Sequence, residues 1–115
     1  MGYIIHKEQE ETIAELTAGA LISNGQDFLD IVMNLPADRV IIHKSILNEA
    51  FFELPSGVAG DILQKATNYQ VRLAIVGNHS DYESKSLRDF IYESNKGNRI
   101  VFVNTITEAL MRLSA

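Results

Sequence analysis

Polar side chains follow three apolar segments of the sequence, and these residues are the best placed to do chemistry. Lys44, Asn78, His79 and Asn104 all come just after such a segment. If the segments are parallel strands, their carboxyl ends meet at one edge of the sheet, where open α/β sheets bind ligands. We therefore expect a polar set that can bind a small anion or metabolite. Solvated loop residues are the plainer interpretation.

Ser56 and Gly57 stand at the predicted start of a helix, directly after Pro55. A phosphate on Ser56 would meet free backbone N–H groups and the positive end of the helix dipole, so Ser56 is a candidate for regulatory phosphorylation. The alternative is a serine that caps the helix. Lys85 and Arg88 give another predicted helix start a basic character that would suit an acidic partner.

The sequence carries no signature of an enzyme or of a cofactor site. The chain has no cysteine, which excludes disulfides and thiolate metal sites. It also lacks a Gly-rich phosphate loop and a Gly-x-Ser-x-Gly nucleophile motif. His6, His43 and His79 would bind a metal only if the fold gathered them. We predict no catalytic residue, no metal and no cofactor.

The elements that must position these residues are indicated by hydrophobic periodicity. Residues 39–43, 71–76 and 100–103 are largely apolar without alternation, which is typical of strands covered on both faces. Helical spacing predicts helices over the segments before, between and after them: residues 26–35 with Asn24 as cap, 56–68, 84–95 and a last helix from Thr105. Strands separated by helices indicate parallel pairing.

The amino-terminal part is predicted to be rich in strands, over residues 3–6, 11–16 and 20–22. Gly97 is predicted as a left-handed cap after the third helix. The fold class is therefore α/β, with a mixed sheet of about four to six strands that has a parallel part and packed helices. We read residues 1–115 as a single domain.

Composition limits the classes of partner. The 115 residues carry a net charge of −5, and their Lys and Arg are scattered. Nucleic-acid-binding domains usually show a basic stripe, so we expect no nucleic acid and no anionic membrane surface as partner. No apolar stretch approaches the roughly 20 residues that cross a bilayer, and the amino terminus does not resemble a signal peptide. We predict a cytoplasmic protein.

Several segments from Phe51 onward resemble a known family. They are residues 51–54, 57–65, 72–77, 84–91 and 93–97. These segments resemble a bacterial family known only as domain of unknown function 4180. The resemblance covers nearly the whole chain and implies no activity.

The order of predicted elements is also similar to that of STAS-type domains, which include the anti-sigma-factor antagonists. In those domains a serine at a helix start is the phosphorylation switch. The local match is Leu54-Pro55-Ser56-Gly57-Val58 against an Asp-Ser-Ser-Gly-Leu pattern. Ser56 and Gly57 agree with it, whereas Leu54 and Pro55 depart from it. The resemblance implies a STAS-like topology.

Three functional hypotheses follow. The first is a non-enzymatic regulatory or protein-interaction domain, because no catalytic signature is present and the topology is similar to STAS-type domains. The second is a small-molecule binding protein, or a minor enzyme, that uses the strand ends near Lys44, Asn78 and Asn104. The third is self-association, in which the amino-terminal hairpin pairs with a second copy to form a homodimer.

Overall fold

The computed structural model describes residues 2–115, and in these residues five strands form one mixed sheet. The strands lie in chain order across the sheet: β1 (Gly2–Glu8), β2 (Glu11–Ala18), β3 (Arg39–His43), β4 (Arg72–Val76) and β5 (Ile100–Val103). β1 and β2 are antiparallel, whereas β2 to β5 are parallel. The predicted α/β class and mixed sheet are confirmed.

Helices connect the parallel strands, and one more helix follows the last strand. They are α1 (Gly25–Val32), α2 (Val58–Asn68), α3 (Lys85–Lys96) and α4 (Ile106–Ser114). Side-chain caps begin three of them: the side chains of Asn24, Ser84 and Thr105 accept hydrogen bonds from backbone N–H groups at the starts of α1, α3 and α4. The connection between β3 and α2 contains three short 3-10 turns, at Lys44–Ile46, Glu49–Phe52 and Leu54–Ser56.

Apolar side chains cover the two faces of the sheet unequally. Helices α1, α2 and α3 pack on one face, where Phe28, Ile62 and Phe90 meet strand residues such as Ile42 and Ile75. Helix α4 packs alone on the other face through side chains that include Ala109 and Leu113. The central strands are therefore covered on both sides, which explains their unbroken apolar sequence.

β1 and β2 form a hairpin whose turn is Gln9-Glu10. Both residues have positive φ, at 49° and 69°. Two-residue hairpin turns of the type that matches strand twist require this left-handed backbone, even where neither residue is glycine. The hairpin places β1 at the edge of the sheet, where β2 is its neighbour.

Arginine side chains hold α4 against the sheet. Arg72 donates to the carbonyl oxygens of Asn98, Arg112 and Ala115 at 2.9, 2.8 and 2.9 Å. Burial, together with the like charges of neighbouring arginines, lowers the pKa of Arg72. The guanidinium N–H groups of Arg72 already donate to backbone oxygens. Its positive charge therefore stabilises this end of the sheet and is not available to bind a ligand.

Four details of the sequence prediction need correction. Residues 20–22 do not form a strand, and Ile22 makes only an isolated parallel bridge to Leu47. Helix α1 ends at Val32, three residues early, and α2 begins at Val58, after a 3-10 turn. Gly97 has φ −96°, outside the left-handed region.

The carbonyl groups at the end of α3 accept hydrogen bonds from a side chain of another helix. Arg112 of α4 donates to the carbonyl oxygens of Asn95 and Gly97 at 2.7 and 2.9 Å. Gly97 still caps α3 through its N–H, which donates to the Ser94 carbonyl oxygen, but it does so without the predicted left-handed backbone, and the long-range Arg112 side chain binds further carbonyl groups. None of the helices in residues 2–115 combines the length and apolar character that crossing a bilayer requires.

Candidate functional site

The carboxyl ends of β3 and β4 lie side by side, and Lys44 crosses from one to the other. His43 ends β3 and pairs with Val76, the last residue of β4. The Lys44 Nζ donates a hydrogen bond to the carbonyl oxygen of Asn78 at 2.9 Å. Gly77 permits this crossing, because a Cβ at residue 77 would lie 2.7 Å from the Lys44 Cβ. The lysine ammonium is thereby fixed at the strand ends.

Two stacked aromatic rings support the Lys44 ammonium. The Phe52 and Tyr82 rings lie 5.3 Å apart between centroids with an interplanar angle of 15°. The Lys44 Nζ lies 4.4 Å from the Tyr82 centroid and 5.2 Å from the Phe52 centroid. Each cation–π contact of this kind contributes about 0.5–2 kcal/mol. The rings offset part of the cost of holding the ammonium in one place.

His79 holds Tyr82 in place through a hydrogen bond to its hydroxyl. Its Nε2 lies 3.0 Å from the carbonyl oxygen of Ile75, and its Nδ1 lies 2.9 Å from the Tyr82 hydroxyl. A carbonyl oxygen only accepts, so Nε2 carries the proton, and the Nδ1 of a neutral ring accepts from the tyrosine. Burial lowers the pKa of His79, and burial raises the pKa of Tyr82 to about 12. Both effects keep this hydrogen bond in its neutral form near pH 7.

A cavity of about 500 Å³ opens beside the lysine. We call it the Lys44 cleft and define it by its lining residues: His43, Lys44, Ser45, Leu47, Glu49, Phe52, Val76 and Gly77. Its walls are more apolar than polar. No carboxylate of residues 2–115 forms an ion pair with Lys44. An apolar cavity with a few convergent polar groups is the usual form of a small-ligand site.

Glu15 of β2 links His43 of the cleft to the hairpin. One carboxylate oxygen accepts from His43 Nε2 at 2.9 Å, and the other accepts from His6 Nε2 at 2.8 Å. The three side chains come from adjacent strands, on the face that α4 covers. Each imidazole is thus oriented by the same carboxylate, which fixes the His43 ring at the cleft wall.

The Glu15 carboxyl is held in its charged form. Burial acts to raise its pKa, but hydrogen bonds from His43 and His6 and their charges act in the opposite direction. The net result is that the pKa of Glu15 lies below its ordinary value of 4.5. The pair of histidines therefore keeps a half-buried negative charge at the base of the hairpin.

A comparison with family models matched residues 7–113 to a family described as Domain of unknown function (DUF4180). The chain belongs to this family. Neither a comparison with curated proteins nor one with solved structures gave a match. Membership supplies no activity, so the arrangement of side chains in this member of the family carries the functional argument.

The structure brings together three of the residues that the sequence singled out: Lys44, Asn78 and His79. Asn78 takes part through its backbone carbonyl. Its side chain donates to Asp81 at 3.0 Å and accepts from the Ser80 N–H at 2.9 Å, so it shapes the loop. His79 supports the aromatic stack and does not line the cleft.

Five other residues named from the sequence lie outside the cleft lining: Ser56, Gly57, Lys85, Arg88 and Asn104. Gly57 adopts φ 81°, a left-handed value that turns the chain into α2. Lys85 pairs with Asp89 on the exposed face of α3 at 2.7 Å. Arg88 donates to the carbonyl oxygens of Tyr82 and Glu83 at 3.0 and 2.8 Å, which anchors the loop that carries Tyr82. Asn104 is exposed in the turn after β5.

Sequence reasoning missed the contributions of Phe52 and Glu15. The adjacent aromatics Phe51 and Phe52 were a usable signal, since only one of the two is fully buried and the other is left to face the cleft. No local pattern indicates that Glu15 bridges two histidines. Within residues 2–115, no group of three or more His, Asp or Glu side chains has the arrangement of a metal site.

Proposed function

We propose that this domain is a non-enzymatic regulatory module that binds a small organic anion in the Lys44 cleft. The single observation that carries the proposal is the Lys44 ammonium itself. It belongs to a side chain that lines a largely apolar cavity, and it is held by a carbonyl oxygen and two rings, without a carboxylate partner in residues 2–115. A ligand carboxylate would supply that partner, and the ligand body would cover Phe52 and Leu47.

The polar groups of the cleft support binding over catalysis. His43 is held by Glu15, and Lys44 is held by Asn78. Ser45 is exposed, and no hydrogen bond within residues 2–115 joins it to a base that would activate its hydroxyl. These groups can orient a ligand, whereas a nucleophilic mechanism would require a serine within reach of the histidine.

Glu49 lines the cleft and is expected to weaken the binding of an anion there. It is exposed, and its carboxylate opposes an incoming anion. Replacing it with glutamine removes that repulsion without changing the size of the side chain. We therefore expect Glu49→Gln to bind an anion more tightly than the natural chain does.

Benzoate and benzamide provide a test, because they share one shape and differ in charge. Binding to the purified protein is measured by calorimetry. We expect benzoate to bind roughly tenfold more tightly than benzamide, and Lys44→Met to abolish that preference, because a charge-assisted hydrogen bond contributes about 1.5–3 kcal/mol. Lys96→Met is the matched control, since the Lys96 Nζ also lies over a ring, that of Tyr92, at 4.6 Å. Equal binding of the two compounds, or an unchanged preference in Lys44→Met, would refute the proposal.

A STAS-like topology and a cytoplasmic location are part of the proposal. The chain-order arrangement of β2 to β5, with α1 to α3 on one face, supports the topology. Ser56 is better supported as a structural serine than as a switch: its hydroxyl donates to the Ala50 carbonyl at 2.5 Å and accepts from the Val58 N–H at 3.2 Å. A phosphorylated fraction in the intact mass of protein from its native host would reverse that preference.

A further inference from the structure

β1 is an edge strand with unused hydrogen-bonding capacity. It spans seven residues, Gly2–Glu8, and within residues 2–115 it pairs with β2 alone. Its outer side therefore presents a row of unpaired backbone N–H and C=O groups, which is a template for a further strand. Proteins usually blunt such an edge with a proline, a central bulge, an inward charge or a lysine. β1 has no proline, and its one lysine, Lys7, donates to the Thr12 hydroxyl of β2 at 2.6 Å. The only irregularity in β1 lies at its first two residues.

Three consecutive large apolar residues lie on this strand. Tyr3, Ile4 and Ile5 are 45%, 49% and 38% exposed. Because successive side chains of a strand point to opposite faces, the exposed apolar surface occurs on both faces of β1. A helix packed on one side would cover only half of it. A neighbouring strand, whose side chains also alternate, would cover both halves.

The sequence of β1 fits a second copy of itself. Successive residues present their backbone groups to opposite edges, so a strand pairs with its own copy only about an axis that passes through a residue. Ile5 is the middle residue of Gly2–Glu8. An axis there places Ile5 opposite Ile5 and Ile4 opposite His6.

The remaining pairs around this axis are also compatible. Tyr3 comes opposite Lys7, a pair suited to a cation–π contact, and Gly2 comes opposite Glu8. No two like charges face each other. An axis at Ile4 would bring only residues 2–6 of the two strands opposite each other, whereas an axis at Ile5 pairs all of Gly2–Glu8, so the pattern favours Ile5 as the centre.

We propose that two copies of this chain associate through antiparallel pairing of their β1 strands about Ile5, forming a continuous ten-strand sheet. The interface lies at the edge of the sheet beyond β2, whereas the Lys44 cleft lies between the ends of β3 and β4. Both clefts therefore stay open in the dimer. The inference does not depend on the proposed ligand.

Light scattering coupled to size-exclusion chromatography tests this proposal with variants that place a positive or a negative charge at Ile5. The natural chain should show twice the 12.8 kDa mass of one copy. Ile5→Lys and Ile5→Glu should each be monomeric, with the dimer dissociation constant raised roughly tenfold or more, because like charges would face each other across the axis. Mixing the two variants should restore the dimer, because lysine then faces glutamate. Met111→Lys, which changes an exposed apolar residue on α4, should remain dimeric.

Three results would overturn the inference. The first is a monomeric natural chain at high micromolar concentration. The second is a dimer that survives Ile5→Lys, which would place the interface elsewhere. The third is a mixture of the two variants that stays monomeric, which would exclude Ile5 as the centre. The mixing result also excludes misfolding as the cause of dissociation, since two misfolded variants would not restore each other.

Discussion

Gly77→Ala should destabilise the protein by displacing Lys44. A Cβ at residue 77 would lie 2.7 Å from the Lys44 Cβ and 3.2 Å from its Cδ. Because the first of these atoms adjoins the lysine backbone, rotation of the far end of the side chain cannot relieve the contact. Either the lysine leaves its position or the loop after β4 shifts.

The magnitude follows from the contacts that Lys44 would lose. These are one charge-assisted hydrogen bond to the Asn78 carbonyl and two cation–π contacts. Lys44 is only partly buried, so each contact is worth less than it would be in the interior. We expect a loss of about 1–2 kcal/mol in the free energy of unfolding, together with a loss of the benzoate preference.

Gly60→Ala is the control for the general effect of replacing glycine with alanine. Gly60 lies in α2, and a Cβ there would have no atom within 4 Å. Alanine favours the helix, so this variant should gain about 0.5–1 kcal/mol. Both variants are measured by urea denaturation followed by circular dichroism. If Gly77→Ala is as stable as the natural chain while Gly60→Ala gains stability, the role assigned to Gly77 is refuted.

Three further predictions concern the surroundings of the cleft. The carboxylate of Glu15 contributes stability that is present above pH 4.5 and is lost as pH falls through its lower folded-state pKa. In urea denaturation, the natural chain should therefore be more stable than Glu15→Gln, and this difference in the free energy of unfolding should shrink below pH 4.5. A difference that stays constant with pH would contradict this. Phe51 is fully buried, and Phe51→Ala should lower the free energy of unfolding by about 3–5 kcal/mol in the same assay. A loss below about 1 kcal/mol would show that the stack of Phe52 on Tyr82 does not depend on Phe51. The ultraviolet titration difference between the natural chain and Tyr82→Phe should have its midpoint near 12, and a midpoint at the ordinary value of 10.0 would mean that the phenol is not buried.

The parallel part of the sheet could be predicted from the sequence because its signal is local. Two of the three apolar segments, residues 39–43 and 100–103, coincide with β3 and β5, and the third begins one residue before β4. Burial on both faces leaves a continuous apolar sequence that no surface strand would have. The caps of α1 and α4 could also be predicted from the sequence, since the side chains of Asn24 and Thr105 accept from backbone N–H groups only three residues away.

The site itself depends on contacts that no local pattern contains. Lys44, Asn78 and His79 could be named because strand ends converge, but the stack of Phe52 on Tyr82 depends on how two separate loops fold over the sheet. The bridge from Glu15 to two histidines likewise depends on the register of the hairpin and on its neighbour β3. Register is a tertiary property, set by the whole buried face.

The most direct test of the Lys44 cleft follows the lysine ε-methylene signals in a proton–carbon correlation spectrum while benzoate is added. Lys44 and Lys96 both lie over aromatic rings, but only Lys44 adjoins the cavity. We expect a saturable shift of the Lys44 signal, with the Lys96 signal unchanged. Signals that both move in proportion to benzoate concentration, or that both stay in place, would contradict this expectation.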